Sequence, residues 1–160
     1  MPEEDSQAAA KAKAFFDKAA KLAETNNFDY AIDMYLQGLR YAPDALHEGH
    51  LPLFELALHR QGKNGKKPGV VEKMTHMGGK TPLDQMLNAE YLLTKDPNHL
   101  SYAEAMLRAA LAGGYSKVAG WIANLIFQTA NASENPSAHT YILLKDAYCD
   151  LQQFDKAIAA

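Results

Sequence analysis

One cysteine, Cys149, stands in the 160 residues, so no internal disulfide can form and a reducing compartment is expected. No apolar run approaches the roughly 18 residues of a membrane-crossing helix. Met1 to Ser6 is acidic and polar with no apolar stretch behind it, so no signal peptide is expected in the chain as it stands, and a cytoplasmic location is the resulting expectation. A large excess of either charge is lacking as well: 16 Lys and Arg stand against 19 Asp and Glu. A net charge of −3 is too small for dominant attraction to DNA, RNA or anionic lipid, so neither nucleic acid nor membrane is expected as a partner. β-branched residues are few and scattered among alanines, leucines and charged helix formers, which leaves little room for strands. Trp121 is the sole tryptophan, and an aromatic at helical spacing reads first as packing.

What the chain does contain is a recurring stripe. Phe15, Ala19 and Leu22 are followed by Phe28, Ala31, Tyr35, Gly38 and Leu39, then Pro43, and the same order returns at Tyr141, Leu144, Tyr148, Phe154 and Ala157. Intervals of three, four and seven put these residues on one face of each of two successive helices. Small Ala31 and Gly38 stand where a second backbone must approach, and Pro43 closes the second helix. A helix pair of this kind cannot bury its own stripe, so a neighbouring pair must stack on it.

The pattern resembles the tetratricopeptide repeat, a 34-residue helical hairpin. Residues 12–45 match it over their full length, and 138–160 match the first part of another copy. Between them, Leu46 to Asn98 exceeds one repeat by roughly 19 residues, and the excess is found at 61–80, where Gly62, Gly65, Pro68, Gly69, Gly78 and Gly79 mark a loop. Within that loop Val70 to Met77 has room for one or two helical turns. The second repeat, 46–98, then consists of a helix over about 45–60 and a partner over 82–94, capped by Thr81, begun by Pro82 and followed by Pro97. Residues 100–133 supply a third copy around the Gly113-Gly114 turn. The expected fold is therefore all-α: one domain, a right-handed α-solenoid of about four antiparallel hairpins, the second with an inserted loop and the last truncated.

Catalytic motifs fail on inspection. Gly79-Lys80-Thr81 has the tail of a phosphate loop, but Met74 holds the place of the required glycine and no strand precedes it. His47-Glu48-Gly49-His50 spaces its histidines three apart, and His59 would lie roughly 14 Å further along the helix, so two ligands do not become a metal site. Cys149 sits between Asp146 and Asp150, which disfavours a thiolate. No enzyme activity, cofactor or metal is expected. Lys63, Lys66, Lys67, Lys73 and Lys80 against Glu72 give the insertion a charge of about +4, without the interleaved aromatics that base stacking needs.

The resemblance implies that first helices line a concave groove where peptides lie. Carried onto this chain, the groove residues are Lys13, Phe16, His47, His50, Phe54, Glu104, Arg108, His139, Ile142 and Asp146. Co-chaperones of the family grip a terminal carboxylate with lysines and asparagines. Here Phe16, Ala20, Leu51, Ser101 and Ala105 occupy those places, so that clamp is absent. The expected function is a protein-interaction scaffold holding a peptide or protein in the groove, the alternative being a helical adaptor or targeting segment of a larger enzyme or secretion machine. A homodimer through the truncated last helix is a further expectation.

Overall fold

The computed structural model describes residues 2–132 and 137–151, and every regular element among them is helical. The order is α1 (Pro2–Glu24), α2 (Phe28–Tyr41), a π-helical turn (Leu46–His50) running into α3 (Leu51–Gly62), α4 (Val70–Thr75), α5 (Pro82–Lys95), α6 (Leu100–Gly113), α7 (Ser116–Ala132) and α8 (Ala138–Asp150). The closest neighbours are α1 with α2, α5 with α6, α6 with α7 and α7 with α8, while α3 packs on both α2 and α5. The truncated end expected at 152–160, with Phe154 and Ala157, lies outside the described residues.

Helix ends follow a common chemistry. In α1, α3 and α6 the last turn closes on a left-handed residue: Asn26 (φ 62°), Asn64 (φ 62°) and Gly114 (φ 75°). The bonds match in all three. The amides of Asn27, Gly65 and Tyr115 donate to the carbonyls of Leu22, Arg60 and Ala110, and those of Asn26, Asn64 and Gly114 to Ala23, Gln61 and Leu111. This six-to-one, five-to-two pairing satisfies carbonyls that a helix end leaves open. Two other helices, α2 and α5, end differently, on Ala42 and Asp96, which leave the helical region directly before Pro43 and Pro97. At the start of α5 the Thr81 hydroxyl accepts the Asp84 amide at 3.1 Å, the cap that Thr81-Pro82 leads one to expect.

One contiguous apolar core runs through the helices, from Ala12, Phe16 and Ala19 through Ala31, Tyr35 and Leu39 to Met106, Ile122, Leu144 and Tyr148. At Gly38 α1 lies close against α2: a Cβ there would stand 2.5 Å from the Phe16 ring and 3.2 Å from the Ala12 carbonyl. Phe16 is therefore the α1 aromatic enclosed by the core, whereas Phe15 is half-buried and stacks on Tyr41. Trp121 packs edge-on against Phe54, ring centres 5.4 Å apart, joining α7 to α3.

The helix expected over 45–60 does not start as an α-helix. His50 N–H donates to the Ala45 carbonyl, an i→i+5 bond, and Gly49 N–H shares the same acceptor. Such winding opens the angle between residues three apart. His47 is consequently exposed while His50 is fully enclosed. A Cβ at Gly49 would meet Leu39 at 2.6 Å and Phe16 at 3.0 Å, so a larger residue here would have to push those two side chains aside.

Candidate functional site

The first candidate is a depression of about 630 Å³ between α1 and the π turn. Ala9, Ala12 and Ala20 of α1 face Ala42 and Ala45 across it, Phe16 lies at its floor, and Lys13, Asp17 and Glu48 stand on its rim. Small side chains on both walls leave the volume open. Lys13 and Asp17 pair at 2.6 Å one helical turn apart, both exposed, so the rim carries paired charge over an apolar floor.

His50 lies beneath this wall rather than in it. Its Nδ1 is 2.7 Å from Glu90 Oε2 and its Nε2 is 2.7 Å from the Pro43 carbonyl, with no solvent-accessible surface left. With Glu90 ionised both ring nitrogens donate, since a carbonyl and a carboxylate only accept, and the ring is then an imidazolium. Burial alone pushes the His50 pKa down, but the Glu90 carboxylate beside it, the Pro43 carbonyl and Asp44 outweigh that and hold it above the usual histidine value. As a groove contact His50 is thus corrected: it ties the π turn to α5 and offers a ligand nothing. Glu90 Oε1 finds no partner among the described residues.

The expected groove residues fall into separate groups. Lys13 and Phe16 share the first depression. Phe54 lines another, about 270 Å³, with Pro97, His99, Leu125 and Ile126. Glu104, Arg108 and His139 come together where α6 meets α8. Thr140 Oγ1 donates to Glu104 Oε1 at 2.7 Å, Arg108 Nη2 donates to His139 Nε2 at 2.9 Å, and Arg108 stands 3.8 Å from Glu104. Glu104 is buried there, so it joins helices instead of facing a partner. His47, Ile142 and Asp146 are exposed and line none of these depressions.

Tethers between distant parts of the chain escape sequence reading, and three of them bear on the wall and core described above. Asp44 accepts the amides of Lys117 and Val118 at 3.1 and 2.9 Å, capping α7 from the segment after α2. Asp29 of α2 accepts Lys95 of α5 and stands 3.6 Å from Arg60 of α3, both cations being largely buried. The hydrogen bond from Lys95, helped by its charge and by Arg60, keeps the Asp29 carboxyl below its ordinary pKa against a smaller opposing effect of burial. The His50–Glu90 pair is the third. Their signal would have been opposite charges at positions the topology joins, and local spacing does not carry that.

The inserted segment forms a separate surface. Val70, Val71, Met74 and Met77 are each between 71 and 77 % exposed, although helical order puts three of them on one stripe. The segment is held from below: His76 stacks on Tyr91 at 3.7 Å, Tyr91 donates to Glu72 Oε2 at 2.9 Å, and Asn88 donates to the Gly78 carbonyl at 3.0 Å. Gly78 and Gly79 turn the chain with φ of 73° and 144° towards the Thr81 cap. The residues that suggested a phosphate loop are thus the approach to a helix start.

Among the described residues no three His, Cys, Asp or Glu side chains are placed to hold a metal ion, and no helix is long and apolar enough to cross a membrane. No family model, no curated protein and no solved structure matches this chain.

Proposed function

We propose that the chain is a non-catalytic interaction scaffold of tetratricopeptide-like helical hairpins, which holds an extended peptide segment of a protein partner in the depression between α1 and the π turn. The observation that carries this reading is that depression: about 630 Å³, walled by alanines, floored by Phe16 and rimmed by Lys13, Asp17 and Glu48. A site of this form takes an apolar side chain at its floor and orients the peptide through rim charges. The repeated helix ends support the hairpin reading, since α1, α3 and α6 share one left-handed closure while α2 and α5 both stop before proline.

Ala20 lines the depression and is exposed, so Ala20→Trp fills it from solvent without touching the core. Peptides selected from a displayed random library on the native chain should lose about tenfold in affinity, roughly 1.4 kcal/mol, on this variant. Hydrogen exchange of the complex should show protection in α1 and in 45–52. Selected peptides that bind the Trp variant equally well would remove this depression as the binding site.

A further inference from the structure

We propose that α4 and Met77 form a second docking face, which receives an acidic amphipathic helix of a protein partner. This goes beyond the inner-groove reading, because it uses another surface and another class of segment. Three large apolar side chains of the six-residue α4, and Met77 just beyond its end, stand open to solvent, with no residue of α4 buried. Single exposed apolar residues are ordinary, but four in eight positions are not. Collapse of a loose loop does not account for them. The His76–Tyr91 stack, the Tyr91–Glu72 bond and the Asn88 and Gln85 bonds to the Gly78 and Gly79 carbonyls hold the segment from α5 and leave the apolar stripe outward. A face fixed beforehand loses less conformational freedom when it binds.

Charge defines the occupant. Lys63, Lys66, Lys67, Lys73 and Lys80 are all exposed, and no ion pair among the described residues uses them. Glu72, the one acid of the segment, is engaged by Tyr91. Along the chain the stripe is flanked by these cations, Lys67 before Val70, Lys73 within α4 and Lys80 after Met77, which favours carboxylates opposite. A second copy of this chain would set lysines against lysines. A lipid surface fits poorly: the segment from Gln61 to Lys80 has no Trp, Tyr or Phe to sit at headgroup level, and α4 is far shorter than interfacial helices. The stripe also continues inward. Met77 lines a trough of about 560 Å³ floored by Ala89 and Leu92 of α5 and Ala105 and Ala109 of α6, with Arg108 also on its wall. Apolar side chains spaced along one helix face can lie on α4 and in this trough together, with methionine adapting to their shape.

The test uses the full chain and a panel of fluorescent amphipathic helices of about 18 residues, with a leucine stripe of varied width and glutamates flanking it, read by anisotropy. A matching panel with lysine for glutamate and vesicles of phosphatidylserine and phosphatidylcholine complete the set. Glutamate helices should bind saturably, and lose about tenfold in affinity both between roughly 50 and 500 mM salt and in Val71→Asp/Met74→Asp. Both positions are exposed, so circular dichroism and melting should be unchanged in that variant. Lysine helices should not bind. Ala20→Trp should leave this binding intact, so failure of the inner depression and failure of this face are scored apart. The proposal is overturned if no glutamate helix binds, if the double Asp variant binds equally, or if vesicles bind with that sensitivity while the helices do not.

Discussion

At the scale of single residues the most consequential group is the His50–Glu90 pair, because its energy depends on both members being present. With His50 protonated and Glu90 ionised, two charges lie in the interior between the π turn and α5, and their attraction together with the Pro43 carbonyl offsets the cost of taking them from water. Removing one member leaves the other charged and buried. His50→Gln is therefore expected to cost about 3–5 kcal/mol of folding stability. In a Glu90→Gln background the same change should cost much less, because two amides can bond with no net charge to strand. Urea unfolding of the two single variants and the double gives the coupling directly. A double variant as unstable as the sum of the singles would mean that shape rather than charge governs this contact.

Elements show which parts of the fold can be read locally. The two helices within 12–45, the cap at Thr81, the turn at Gly113-Gly114 and the short helix within 70–77 are each written in neighbouring residues and each is found, although the enclosed aromatic of α1 is Phe16 and not the expected Phe15. What escapes reading is of two kinds. The π turn depends on Gly49 lying against Leu39 and Phe16, so its winding is decided by packing, and with it the inward turn of His50. The tethers join residues 40, 66 and 74 positions apart, beyond any local period. The candidate site divides the same way: Lys13 and Phe16 meet in one depression, while His50 and Glu104 are taken up in holding helices together. Asn26 and Asn64 are a middle case, since asparagine tolerates the left-handed region without announcing it as glycine does. Asn64→Ala should therefore lower stability by about 1–2 kcal/mol, and Asn64→Gly should leave it equal or higher. Thermal melts of the two variants distinguish this from loss of a side-chain contact, which both substitutions would share.

For the whole molecule, stability with pH should fall on both sides, and the two limbs belong to different tethers. His50 has a folded pKa above its unfolded value of about 6.5, so its contribution is complete below that pH and is lost as pH rises through the folded value. Asp29 is the reverse case. Its carboxyl is held below its unfolded value of about 3.9 by Lys95 first and by Arg60, so its contribution is present above that pH and lost as pH falls through the folded value. The limbs should differ in depth. Asp29 remains 72 % exposed and solvent screens it, whereas the His50 ring has no exposure at all. Melting temperature from pH 3 to pH 9 should therefore show a shallow acid limb that flattens in Asp29→Asn and a deeper alkaline limb that flattens in His50→Gln/Glu90→Gln. If the alkaline limb survives in that double variant, the proton lost on raising pH does not come from the link between the π turn and α5, and that link is held by apolar packing alone.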